Sequence, residues 1–208
     1  LSEMAVAPDF QLEKKYILAG HKVVVGVDEA GRGCIAGPVT AGAVMFKTVD
    51  FPADLDDSKK LTPLKRARIY EEIKEKAVIS FVHVSVEEIE RINILQASLK
   101  AMVLAVEKLP VTPDLILVDG NRLPTNLPCK GLAVVKGDQK SLSIAAASVV
   151  AKVNRDNLMN QLAKEEPHYK WRTNKGYGTR EHMEALERHG PSKHHRQSFL
   201  PLRRLFSD

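Results

Sequence analysis

The stretch Val23-Val24-Val25-Gly26-Val27-Asp28-Glu29-Ala30-Gly31-Arg32-Gly33 begins as a buried strand and ends on two acids followed by a glycine-flanked arginine. Four valines broken by one glycine predict a strand over Lys22–Val27. Two other segments repeat the pattern. LILVDGNR (residues 115–122) and VVKGDQKSLS (residues 134–143) each run through Val, Ile or Leu into an acid and a glycine or polar turn. Asp28, Glu29, Asp119 and Asp138 therefore fall where strands end and loops begin. Ligands in open α/β sheets gather outside those ends.

Convergence of these acids has a physical consequence. Two carboxylates ~4 Å apart repel by roughly 4 kcal/mol at an effective dielectric of about 20. A cation must hold them if they meet, and hard oxygen donors without His or Cys favour Mg²⁺ or Mn²⁺. Neighbouring side chains on a strand point to opposite faces, so Asp28 and Glu29 serve one site only if the strand ends there. Each acid also has an ordinary reading: a solvated strand end for Asp28-Glu29, a turn after a strand for Asp119, and a turn before a helix for Asp138.

Bulk properties set the frame. The chain has 208 residues and 44% hydrophobic residues, enough for one sizeable core. Its 31 Lys and Arg against 26 Asp and Glu leave a net charge of +5, which permits a polyanionic partner without demanding one. No apolar run reaches the ~20 residues of a membrane helix, and no secretory signal is visible, so a cytoplasmic protein without a membrane partner is expected. The two cysteines, Cys34 and Cys129, lack zinc spacing and are expected as reduced thiols.

The pattern predicts further strands over Val39–Phe46, Ile79–Val86, Leu115–Val118 and Leu132–Val135. Residues 1–20 read as a short helical lead-in. Thr62 and Pro63 start a helix toward Ala77, with Leu64, Ala67, Tyr70, Ile73 and Ala77 on one face. Leu95, Leu99, Met102, Val106 and Leu109 mark a second helix. A third spans Ser141–Glu165, its Ala145-Ala146-Ala147-Ser148 stretch small enough to pack closely on a sheet. A fourth runs from Thr179 to Gly190-Pro191. Pro167–Lys175 reads as a linker. The order favours an α/β layer with a mixed sheet and a helical appendage at the C-terminus.

Several motifs lie beside the acids. In Gly31-Arg32-Gly33 the glycines let backbone N–H groups approach a ligand, and the arginine can grip a phosphate; a tight turn is the alternative. Asp57-Ser58-Lys59-Lys60-Leu61 puts two lysines before a capped helix, or forms a plain charged loop. Ser148, Lys152 and Asp156 share a helix face at i, i+4, i+8, which fits either a site-facing stripe or a surface ion pair. Tyr177, between two glycines, is suited to stacking on a sugar or base.

In this order and spacing, VGVDEAGRG, LDDSKKL, ILVDGNR, VVKGDQKSLSIAAASVVAKVNRD, NKGYGT and HHRQSF resemble bacterial type 2 ribonuclease H, the ribonuclease HII family, over about residues 22–200. The resemblance implies a ribonuclease H-like mixed β-sheet flanked by helices, with a catalytic domain over 1–175 and a helical segment over 176–208 packed on it. It implies an endonuclease that hydrolyses the RNA strand of RNA–DNA hybrids; a monomer is expected. It also implies cutting on the 5′ side of single ribonucleotides embedded in duplex DNA, leaving 3′-hydroxyl and 5′-phosphate ends. Asp28, Glu29, Asp119 and Asp138 would be the catalytic, metal-binding acids for two Mg²⁺ or Mn²⁺ ions. Gly31, Arg32 and Gly33 would contact the 2′-hydroxyl and nearby backbone, Tyr177 the sugar beside the RNA–DNA junction, and Lys59, Lys60 and Lys152 phosphates. Two positions depart from the family pattern: Cys34 stands where proline usually follows GRG, and Asn174 where histidine often precedes Lys-Gly-Tyr.

Competing readings are another metal-dependent nuclease of the same fold and a nucleic-acid-binding protein with idle acids. A small-molecule α/β enzyme finds no phosphate loop or catalytic dyad in support.

Overall fold

The structure is a computed structural model that describes residues 7–206. Of the expected lead-in, Gln11–Leu18 forms α1, which packs Leu12 and Tyr16 inward; residues 1–6 lie outside the described residues. β1 (Val24–Ala30) and β2 (Val39–Phe46) follow, joined by the glycine-rich loop. α2 (Pro63–Lys76) starts as expected, with Thr62 Oγ1 accepting the Lys65 N–H at 3.3 Å. Its inward face carries Arg66, Ile69 and Ile73, whereas Leu64 is 86% exposed. A charged residue takes the inward place because the Arg66 guanidinium bonds to the carbonyls of Ser58 and Leu61.

β3 (Ala77–Val84) follows α2 directly and stops short of the expected Val86. Ser85 is the reason: its side chain accepts the Glu88 N–H at 3.2 Å and opens α3 (Val86–Ile92), which the alternating pattern concealed. Asn93 caps α4 (Ile94–Glu107) through the Gln96 N–H at 3.1 Å. β4 (Leu115–Asp119) and β5 (Lys130–Val134) complete the strands. Ser141 caps α5 (Leu142–Glu165), accepting the Ile144 N–H at 3.1 Å. The chain ends through α6 (Trp171–Asn174), α7 (Arg180–His189) and α8 (Leu200–Phe206).

The sheet order is β3-β2-β1-β4-β5. β1 and β2 pair antiparallel, as do β2 and β3; β4 runs parallel to both β1 and β5. This is the mixed α/β sheet expected. One face carries Val25, Val27, Ile116 and Val118 against α4; Val24, Leu115 and Leu117 on the other face meet Ile144 of α5. α5 crosses the sheet at very close range. A Cβ at Gly26 would come 2.3 Å from the Ser143 carbonyl carbon, and one at Gly42 2.6 Å from the Ala147 oxygen. The small residues 145–148 and these two glycines are one packing solution, written in two places in the chain.

The segment Pro167–Lys175, read as a linker, packs inward instead. Tyr169 and Trp171 are 2% and 0% exposed and form a cluster with Ile35, Met159 and Leu186. Its polar residues misled: Asn174 is buried, its Nδ2 donating to the Tyr169 carbonyl and its Oδ1 accepting the Gly176 N–H. A polar residue with every group satisfied can sit inside.

Candidate active site

β1 does not end at Val27. It continues to Ala30 against β2, with Asp28 opposite Gly42 and Glu29 opposite Ala41. The expectation that both acids leave the strand end together is thereby corrected. On the β4 side, register places Val27 beside Val118, so Asp28 and Asp119 are the next residues of two parallel neighbours. Alternation then turns Asp28 and Asp119 toward the α5 face and Glu29 toward the α4 face. Glu29, Arg32, Ser98, Asn121 and Arg122 line a small cavity of about 40 Å³ that Asp119 also borders.

Asp138 arrives from a short 3₁₀ turn, Gly137–Gln139, entered through Lys136 in left-handed backbone. The turn is tied to β4: the Gly137 N–H donates to Asp119 Oδ1 at 2.7 Å. Asp28 accepts the Glu29 N–H on Oδ1 at 2.7 Å. Glu29 lies 3.7 Å from Arg32 Nη1, and Asp138 lies 3.5 Å from Lys59 Nζ. Each carboxylate thus leans on a donor of its own. Among the described residues, no three His, Cys, Asp or Glu side chains are gathered closely enough to hold a metal ion as they stand. Like charges sharing a site splay apart toward separate donors, and the alternation of β1 keeps Glu29 on the far side.

The electrostatics show how closely the acids press on one another. Burial, then the charges of Glu29, Asp119 and Asp138, pushes the Asp28 carboxyl well above the usual range. Burial also raises Glu29, with Arg32 opposing and Asp119 adding to it. Burial raises Asp138, helped by Asp57 and Asp119 and opposed by Lys59. Three carboxyls raised by burial, each with the Asp119 charge adding to it, form a site short of positive charge. Hard oxygen donors in that condition fit a divalent cation.

Asp57 is a fifth acid that sequence reading passed over as part of a charged loop. It is 5% exposed and its Oδ1 accepts the Lys59 N–H at 3.0 Å. The Lys59 loop is anchored to α5, since the Ser58 N–H donates to Ser148 Oγ at 3.2 Å. Burial would lower the Lys59 ammonium, but Asp57, Asp28 and Asp138 outweigh it and raise its pKa. Lys60 points elsewhere, pairing with Asp56 at 3.0 Å. Lys152 stands with Asp156 at 2.7 Å and its Nζ lies 5.8 Å from the centre of the Tyr177 ring. The stripe Ser148, Lys152, Asp156 therefore holds one loop at its first residue and approaches Tyr177 with its second.

The loop Gly31–Pro38 presents Arg32, whose side chain is 52% exposed. Gly31 has φ +89°, and a Cβ there would fall 1.8 Å from Arg155 Nε, so only glycine fits. Gly33 meets nothing within 4 Å, leaving its backbone open to a ligand. Tyr177, 46% exposed, lies nearby across the bonds from Ile35 N–H and Ala36 N–H to the Gly176 carbonyl. Burial, then Cys34 beside it, raises the Tyr177 hydroxyl.

Comparison with known proteins identifies the family and the fold. The family model described as ribonuclease HII matches residues 25–201. A Cereibacter sphaeroides protein named ribonuclease HII is 52% identical over 195 residues, 94% of this chain and 92% of its own. The crystal structure of ribonuclease H2 from Pyrococcus horikoshii OT3 superposes with a TM-score of 0.73 at 24% identity, over 88% of this chain and 97% of that one. Bst-RNase HIII in complex with Mn²⁺ superposes with a TM-score of 0.70 at 19% identity, over 88% of this chain and 68% of that one.

Proposed function

The chain belongs to the ribonuclease HII family and is an endonuclease of the ribonuclease H class, and from that premise we propose that it cuts ribonucleotide-containing duplexes by metal-assisted hydrolysis. Its substrates are the RNA strand of RNA–DNA hybrids and single ribonucleotides embedded in duplex DNA. Cleavage falls 5′ of the ribonucleotide and leaves 3′-hydroxyl and 5′-phosphate ends. The observation that carries the reading is the placement of Asp28 and Asp119 one residue beyond the paired Val27 and Val118 of two parallel strands, with the turn bearing Asp138 tied to Asp119 through the Gly137 N–H and with burial and the Asp119 charge raising Asp28, Glu29 and Asp138.

Asp28, Asp119 and Asp138 would hold divalent metal on the α5 side, with Glu29 completing the set from the α4 side. When bound, a pair of Mg²⁺ or Mn²⁺ ions supplies water activation and charge neutralisation on the leaving 3′-oxygen. The solved relative in complex with Mn²⁺ supports such a site in this fold. The protein's own groups do the selecting. Open backbone at Gly33 and the neighbouring Gly31 and Arg32 read the 2′-hydroxyl, which both donates and accepts hydrogen bonds. A site built to bond a hydroxyl can reject the analogue lacking it by about 10⁴–10⁵. Tyr177 packs on the sugar beside the junction, and Lys59 and Lys152 meet phosphates. Lys60, paired with Asp56, has the weakest claim among the lysines.

The test is a duplex with one embedded ribonucleotide, incubated with Mg²⁺, Mn²⁺ or EDTA. Cleavage 5′ of the ribonucleotide with either metal, and none in EDTA, is expected. Comparable cutting of an all-DNA duplex would turn the reading toward a general nuclease.

A further inference from the structure

Two buried arginines stand outside the chemistry described so far. Arg155 of α5 and Arg196, ahead of α8, are both 0% exposed. Among the described residues neither pairs with a carboxylate. A buried guanidinium must satisfy its donors by other means, and these two do so entirely on backbone carbonyls. Arg155 donates from Nε to Pro38 at 2.9 Å, from Nη2 to Ala36 at 3.0 Å and from Nη1 to Lys175 at 2.8 Å. Arg196 donates from Nε and Nη2 to Gly37 at 2.9 and 2.8 Å and from Nη1 to Arg32 at 3.0 Å. Burial and the facing charge of Arg155 hold Arg196 down to about 9, which leaves it protonated at neutral pH.

Five of these six bonds end on the loop 32–38, and the sixth ends two residues before Tyr177. The main chain adds its own ties: the Arg196 N–H donates to the Ile35 carbonyl, and the Gly37 N–H to that of His194. Two like charges in a dry interior, aimed at carbonyls of one loop, make a costly arrangement if stability were the only gain. What the arrangement does is hold the shape of that loop and its distance from Tyr177. A lysine cannot replace either residue, because one ammonium does not reproduce the fixed fork of N–H donors that reaches three carbonyls from Arg155 and two from Arg196.

We propose that Arg155 and Arg196 are positioning residues that lock the Gly31–Gly33 loop against Tyr177 and thereby set the discrimination between ribose and deoxyribose. The inference rests on the reading of that loop and Tyr177 as sugar contacts.

The test uses the full chain with Arg155→Lys and Arg196→Lys made separately, and Leu186→Ala as a control that loosens the same helical layer without touching these carbonyls. Hydrogen exchange of the Ile35, Ala36 and Gly37 amides is read alongside kcat and KM on a single-ribonucleotide duplex, affinity for an all-DNA duplex and the Mn²⁺ concentration for half activation. In the wild type the three amides exchange slowly. In each arginine variant they exchange at least tenfold faster, and kcat/KM falls at least 30-fold, mostly in kcat. DNA affinity and half-activating Mn²⁺ stay within twofold, and L186A keeps kcat/KM within threefold. The proposal is overturned if a folded R155K or R196K keeps kcat/KM within threefold, or loses no more than L186A at matched melting temperature. Wild-type amides that exchange like an open loop would overturn it even if neither variant folds. A wild type inert toward the ribonucleotide duplex would instead remove the functional reading, while the exchange data still decide whether the arginines fix the loop.

Discussion

His182 and His195 face each other with their Nε2 atoms 3.0 Å apart, and the surrounding bonds fix which one carries the proton. His195 Nδ1 accepts the Ser192 N–H at 2.9 Å, so its Nε2 bears hydrogen and donates to His182. His182 Nδ1 lies 2.8 Å from the Tyr177 carbonyl and donates to it, leaving Nε2 to accept from both His195 and Trp171 Nε1. Neither ring has room for a second proton without setting two donors against each other. These histidines form a neutral relay that ends on the backbone of Tyr177.

The relay makes stability depend on pH. Burial, then the neighbouring His182, holds His195 down to about 3, and burial lowers His182 as well. Native histidines with depressed pKa bind fewer protons than unfolded ones, whose pKa is about 6.5. Their contribution is complete above about pH 6.5 and declines as pH falls, for His195 down to about pH 3, by up to roughly 1.4 kcal/mol per pH unit for each ring. Asp28, Glu29 and Asp138, raised in the fold, act with the opposite sign. The comparison that isolates the relay is urea unfolding of wild type and His195→Gln at pH 7.5, 6 and 5. The gap between them narrows on acidification; parallel curves would contradict the tautomers assigned.

Asp28→Asn separates metal binding from folding. Removing one of several crowded buried charges is expected to raise the melting temperature without divalent ions, because the raised carboxyl of Asp28 destabilises the ionised fold. Mn²⁺ at a hundred times its Kd is expected to stabilise the wild type by about 2.7 kcal/mol and the variant by much less. Turnover falls at least 100-fold. A variant with near-normal turnover in saturating Mn²⁺ would remove Asp28 from the site.

Gly31 and Gly33 are expected to respond differently to alanine. At Gly31 the φ of +89° and the contact with Arg155 predict a loss of about 1–3 kcal/mol from the backbone alone. At Gly33 the surroundings are open, so stability changes by less than about 0.5 kcal/mol. Cleavage at a single ribonucleotide still drops in Gly33→Ala, since the added methyl stands where nucleic acid approaches. Full activity with full stability in that variant would take Gly33 out of the interface.

Binding to duplex should weaken as salt rises, because phosphate contacts release counterions. Lys59→Ala and Lys152→Ala each reduce the slope of log affinity against log salt by about 1. Lys60→Ala leaves it nearly unchanged, given the Lys60–Asp56 pair at 3.0 Å. Equal slopes in all three variants and the wild type would show that none of these ammonium groups meets a phosphate.

Much of this architecture is legible in one dimension because its causes are local. Val24, Val25 and Val27 announce a buried strand, Thr62-Pro63 and Ser141 announce helix starts, and the run 145–148 announces a helix lying flat on a sheet. The errors were also local, in that short-range signals competed. Val86 alternates like a strand residue, yet Ser85 captures a helix-start N–H one turn on. Asn174 and its neighbours look like a linker, yet the buried ring of Trp171 makes the segment part of a core.

By itself, the order of residues determined a mixed sheet with acids toward the C-terminal side of its central strands, because hydrophobic period and turn chemistry act over a few residues. Only the tertiary structure decided that Glu29 faces away from Asp28, that Asp57 joins the acidic group, and that Arg155 and Arg196 frame the glycine loop. Those facts depend on strand register and on groups brought together from distant parts of the chain, and no short-range pattern encodes either.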